Sequence, residues 1–237
     1  MVASARLNLS EIEASLRTVQ REFDRINRRL SAQRDPMSDT VVENMLAGYA
    51  LVDELVQARV EIFSMGRLKS ILELNKVVLC GTGAGDESAR HLVATEDRFY
   101  EEREGGIQDI VEWLALHADE SAWKRAAGAY VRMLSKPQLF IEGNHRTGVL
   151  VMSYLLLRDA KPPFVLTVDN AEAFFDPSTV IRDIRKKSPA ALFRLPGIKK
   201  RFAKFLSAQA DPRYLLPAAS APELLGSSNA IRISRSG

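Results

Sequence analysis

Apolar positions along this chain recur at helical spacing, and one stretch breaks the rule. Ile12, Leu16, Val19, Phe23, Ile26 and Leu30 alternate at intervals of four and three, a heptad seam that predicts a helix over about residues 9–30. Ser10 and Glu13 read as a capping box at its start. So short a seam is predicted to dock on its own chain. Asp35-Pro36 breaks it, and Ser38, Asp39 and Thr40 offer caps for a second helix over about residues 41–65, with Val42, Met45, Leu46, Tyr49, Val52, Leu55 and Val56 as a wide apolar face. A third is predicted over residues 67–78. Residues 88–106 are the least helical of this half: Leu92-Val-Ala-Thr, Arg98-Phe-Tyr and Gly105-Gly106 predict a short β-hairpin. Helices resume over residues 107–117 and 121–134, and Lys136-Pro137 stops the second. Val149-Leu-Val-Met-Ser-Tyr-Leu-Leu-Leu157 is apolar nearly all round, which marks a buried central helix running to about Arg158. After Lys161-Pro-Pro163 come short helices at about 170–175, 177–187 and 198–208, and from Asp211 a Pro-, Ala- and Ser-rich stretch expected to be weakly ordered. The predicted fold is all-α with one short hairpin. It divides into a heptad helix over residues 1–35, a helical domain over 36–208 and a tail over 209–237.

Composition adds compartment and charge. Cys80 is the lone cysteine, so an intrachain disulfide is impossible, as suits a reducing compartment. The N-terminus lacks the apolar core of a signal peptide and no stretch is long enough to span a bilayer, so the expectation is a cytoplasmic protein that does not enter a membrane. Residues 1–180 hold 21 Lys+Arg against 27 Asp+Glu, and residues 181–237 hold 12 against 3. That asymmetry reads first as a solvated basic face. It also leaves the C-terminal region as the one route to nucleic acid, a partner not otherwise expected.

The chemistry concentrates at residues 140–148, Phe-Ile-Glu-Gly-Asn-His-Arg-Thr-Gly, between two helical segments. Gly143 sits where a loop must turn into a helix. The amides of Gly143, Asn144, His145, Arg146 and Thr147 then open a helix, where the first turn lacks carbonyl partners and the dipole is positive: an anion site. Arg146 adds a planar fork suited to phosphate oxygens. Glu142 is placed either to hold a metal or to cap the helix. The glycine cluster from Cys80 to Asp86 lacks a preceding strand and a following Lys-Ser/Thr pair and reads as a connector. His91 and His117 have no partner pattern.

This stretch resembles the Fic family, part of the Fido group that includes the Doc toxins. The family motif is His-Pro-Phe-x-Asp/Glu-Gly-Asn-Gly-Arg-x-x-Arg, at the start of a buried helix in an all-α fold. Phe140, Glu142, Gly143, Asn144 and Arg146 match it, with Tyr130 and Leu134 on the helix before and Leu155-Leu-Leu-Arg-x-Ala-x-Pro-Pro-Phe164 after. The likeness covers about residues 40–175. It implies a Fic-like domain that binds ATP or another nucleotide with Mg²⁺, the acidic residue holding the metal and the loop cradling phosphates. In the family the motif His takes a proton from a target Ser, Thr or Tyr, which then accepts AMP. A hairpin flap, here at residues 92–104, holds the target protein as an added strand.

Four positions depart from the motif. Gln138 stands for the His, Leu139 for the Pro, His145 for the second Gly and Val149 for the last Arg. Gln138 has no group that titrates near neutrality and cannot be a general base. His145 reads as a neutral hydrogen-bonding group, a phosphate ligand or a substitute base; a bulky basic residue at this position in Doc proteins accompanies a reversed nucleotide and phosphate transfer. The family's inhibitory helix is loosely matched by Asp39-Thr-Val-Val-Glu43-Asn44, with Glu43 as the candidate inhibitory carboxylate or an ordinary surface one. The expectation is an adenylyltransferase-like, nucleotide-binding protein of weak or altered activity. The alternatives are a Fic-fold interaction module without catalysis and a Doc-like phosphotransferase.

Overall fold

The computed structural model describes residues 5–82, 88–101 and 105–216, and among these every regular element is helical. In chain order these are α1 (Leu9–Asn27), α2 (Asp39–Gln57), α3 (Lys69–Cys80), α4 (Ser88–Phe99), α5 (Ile107–Leu116), α6 (Ala122–Leu134), α7 (Asn144–Arg158), α8 (Ala171–Arg182), α9 (Pro189–Ala208) and a 3₁₀ turn at Pro212–Tyr214.

The apolar run places α7 at the centre. Twelve of its residues are buried, and α2, α3 and α6 pack around it. Gly148 lets α6 approach: a Cβ there would lie 2.7 Å from the Tyr130 ring. The heptad seam of α1 is buried from Ile12 to Leu30. Its first part faces the main core, and Val19, Phe23, Ile26 and Leu30 form a smaller cluster with Ala171 of α8. The cap of α1 is Asn8, which accepts from Glu11 N, so the helix starts ahead of the Ser10–Glu13 box. Ser38 caps α2 as the sequence suggests, but α2 ends at Gln57, with Arg59 at φ 53° turning the chain.

The predicted β-hairpin flap is overturned. Residues 88–99 form α4, and the described residues contain no strand, only the isolated bridges Leu7–Leu215 and Lys136–Arg185. The reason is the period of burial: Thr95 and Phe99 are buried, four apart, while Val93 between expected strand positions is 61% exposed. One stripe at helical spacing docks this segment, where alternation was expected. An added strand therefore has no partner edge among the described residues; residues 102–104 of the expected flap lie outside them.

Prolines were over-read as breaks. α8 runs through Pro177 and α9 through Pro196, each a single helix where the sequence suggested an interruption. The stretch from Asp211, expected to be weakly ordered, is packed as far as Leu216. Tyr214 is buried, its carbonyl accepts from Asn8 N, and Leu216 N donates to Arg6 O. No helix among the described residues is long and apolar enough to cross a membrane.

Candidate functional site

Nine residues connect α6 to α7, and each turn of the connection is tied down. Leu139 N donates to Met133 O at the end of α6. The Gln138 carbonyl accepts from Arg98 Nε of α4 at 2.8 Å. Phe140 is buried and stacks on Phe99, ring centroids 5.6 Å apart. Asn144 closes the loop with its amide: Phe140 N donates to Oδ1 and Nδ2 donates to Phe140 O. Gly143 turns at φ +76°, a conformation side chains resist, and a Cβ there would meet Asn75 Nδ2 at 2.8 Å. That Asn75 amide, from α3, donates to both Glu142 O and Thr147 Oγ1 at 3.0 Å. Loop and helix start are thus pinned by one side chain.

This architecture leaves backbone donors without acceptors. Among the described residues no acceptor lies on the amides of residues 143–146, while Thr147 N donates to Gly143 O. Arg146 lies beside them, donating to the Val78 carbonyl at 2.5 Å, with its second nitrogen 3.9 Å from Glu142. Glu142 is 64% exposed. No group of three or more His, Cys, Asp or Glu able to hold a metal is present among the described residues. A single exposed carboxylate suits Mg²⁺ only where phosphates supply further oxygens.

His145 points the other way, into the interior. The hydrogen-bond network assigns its tautomer. Ser178 Oγ donates its one hydrogen to Phe174 O at 2.6 Å, so it must accept from Tyr130 Oη at 2.8 Å. With its hydrogen spent, Tyr130 Oη accepts from His145 Nδ1–H at 3.1 Å. Nε2 is left as a bare acceptor, buried and without a partner. Burial, then Arg34 and then Arg182, lower the His145 pKa to about 3. A ring so acidic when protonated is neutral at physiological pH and a weak base, far from the optimum for proton abstraction.

Beside His145 and Arg146 opens a cavity of about 280 Å³ between α1, α2, α7 and α8. Its walls are chiefly apolar, with Phe23, Tyr49, Val149 and Phe175 among them, and Arg34, Asp35 and Arg146 bring charge of both signs to it. Arg34 donates to Phe175 O and Thr179 Oγ1 and leans over the Phe175 ring. Its Nε is buried with no acceptor. Behind the cavity lining, Arg34 and His145 thus each keep one buried polar atom without a partner among the described residues.

The structure brings Glu142, Gly143, Asn144, Arg146 and Thr147 together at the α7 N-terminus, with Gln138 at the far end of the loop and only half exposed. The Glu43 side chain is 64% exposed and lies 3.8 Å from Arg17 of α1. His117 stacks on Trp113 and its Nδ1 lies 2.8 Å from Trp113 O, a local role; the side chain of His91 lies outside the described residues. Asn75, Arg98, Ser178 and Arg34 escaped the sequence reading. Asn75 alone left a signal, a polar residue on the stripe Ile71, Leu74, Val78.

No protein-family model matches the chain, and no curated protein sequence does either. Solved structures similar to it include a Fic domain containing signaling protein from Bacteroides thetaiotaomicron, 14% identical with a TM-score of 0.46 over 84% of this chain and 95% of that one. Fic-1 from C. elegans is 16% identical, with a TM-score of 0.45 over 84% of this chain and 69% of that one. Likeness at this level assigns no residue and no activity.

Proposed function

We propose that this chain is a Fic-like nucleotide-binding protein in which the α7 N-terminus receives phosphates and transfer chemistry is weak. The observation that carries the reading is the pinned Gly143 turn, which presents unpartnered amides beside Arg146 at the edge of the apolar cavity. Phosphates rest on the amides and Arg146, and the cavity takes an apolar or aromatic part of the ligand. ATP is the first candidate, with Mg²⁺ arriving on its phosphates next to Glu142.

Adenylyl transfer to a protein hydroxyl needs a base. Gln138 cannot act as one, and a His145 lowered to about 3 is a poor substitute. Calorimetry with ATP and Mg²⁺ tests the reading. Arg146→Ala should cost about 1.5–3 kcal/mol of binding, as for hydrogen bonds to a charged group. Absence of binding by the native chain, or equal affinity in the variant, would remove it.

A further inference from the structure

A basic cavity lies at the start of the same loop, against Lys136 and Pro137. Its frame is backbone: Lys136 N donates to Ile184 O, and Lys186 N donates to Lys136 O, both at 2.8 Å. This short parallel pairing ties the end of α6 to the segment between α8 and α9. It gathers Lys136, Arg185, Lys186 and Lys187 around a cavity of about 170 Å³, closed by Gly105 and Ser188. Ser188 caps α9, accepting from Ala191 N, and Pro189 has no N–H, so the 20-residue helix brings the positive end of its dipole to the rim without a free donor from either residue.

Lys186 is the anomaly. It is 9% exposed, yet no carboxylate lies within ion-pair distance of it among the described residues. Among the described residues its one hydrogen bond is to Gly105 O at 3.1 Å, and none of these supplies an acceptor for the other two ammonium hydrogens. Gly105 permits that contact, since a Cβ there would stand 2.9 Å from Nζ. The charges facing it from neighbouring elements are Asp109 of α5, Arg98 of α4, Arg132 of α6 and Lys187. Asp109 is already engaged by both its oxygens to Arg132. Burial, then Arg98, Arg132 and Lys187, outweigh Asp109 and lower the Lys186 pKa to about 8. A buried cation among cations, short of acceptors, is costly to keep.

We propose that this pocket binds a tetrahedral oxyanion, a phosphate or sulfate group, free or as a terminal monoester, on the Lys186 ammonium, with Arg185, Lys187 and Lys136 at the rim, Lys136 being shared with Asp183 at 3.5 Å. The volume suits one such group, and the group supplies the acceptors that Lys186 lacks. Binding restores the lysine to its charged form. At about pH 8 the free lysine is half protonated, so sulfate, which does not titrate there, should draw in up to about half a proton. Affinity should fall as pH rises further.

The test is sulfate calorimetry on the full chain carrying Arg146→Ala, which silences the α7 loop, in two buffers of different ionisation enthalpy. We expect millimolar or tighter binding with proton uptake, weakened at least about tenfold and stripped of that uptake by Lys186→Met. Arg185→Ala, on an exposed side chain, should weaken binding severalfold, and it carries the test if Lys186→Met does not fold. Absence of sulfate binding, or uptake unchanged in Lys186→Met, overturns the proposal; for Arg185→Ala the overturning result is undiminished affinity. Phosphoserine binding more tightly than inorganic phosphate would make the monoester the ligand, and equal affinities the free ion. Because none of these residues belongs to the nucleotide reading, either site can fail without the other.

Discussion

His145 should make the fold sensitive to mild acid, by an amount the structure fixes. The folded ring holds its neutral form down to about pH 3, whereas an unfolded histidine protonates near 6.5. Below pH 6.5 the unfolded chain therefore binds the extra proton, and stability falls with pH until the folded pKa is reached. At about pH 5 the unfolded ring lies about 1.5 units above ambient pH, which at 1.36 kcal/mol per unit is a loss of about 2 kcal/mol relative to neutrality. Every other titrating group contributes too, so the quantity to measure is a difference. Urea unfolding of the native chain and of His145→Gln, at about pH 7 and pH 5, isolates it. The native chain should lose about 2 kcal/mol more than the variant over that interval, and proton NMR should find the folded His145 ring untitrated down to about pH 4. Equal losses in the two proteins, or a folded His145 titrating near 6.5, would refute the burial of Nε2.

Two further outcomes are expected. Gly143→Ala should destabilise the chain by about 1–3 kcal/mol in urea unfolding, because the new Cβ meets both an unfavourable φ and the Asn75 amide. Gln138→His should raise autoadenylylation measured with labelled ATP, by an amount near the lower end of about 10²–10⁴-fold given that Val149 still replaces a cation; a folded variant that binds ATP and remains silent would place the defect in the phosphate pose.

The helices were legible where burial had a clean period. The all-round apolar run made α7 central, and the seam from Ile12 to Leu30 proved to be an intramolecular face. Legibility failed where a segment carries few buried residues: α4 shows one short stripe, Thr95 and Phe99, and strand-forming residue types around it suggested a hairpin. It failed also at Pro177 and Pro196, where packing holds a helix that local propensity interrupts. At the site, the donors of the α7 N-terminus could be read from Gly143 and the polar run after it. The fixing contacts could not, because Asn75, Arg98 and Ser178 are brought in from 40 to 72 residues away.

α4 grips the loop by two different handles. Phe99 holds the ring of Phe140, and Arg98 holds the carbonyl of Gln138. Gln138 is thus tied to a helix that presents Val93 to solvent, with Tyr100 exposed just past its end. Any contact that displaces α4 would pull on the loop before α7 without touching it, and any ligand that stiffened that loop would change what α4 offers to its surroundings. By the reciprocity of linked equilibria, occupancy on one side must be felt as affinity on the other.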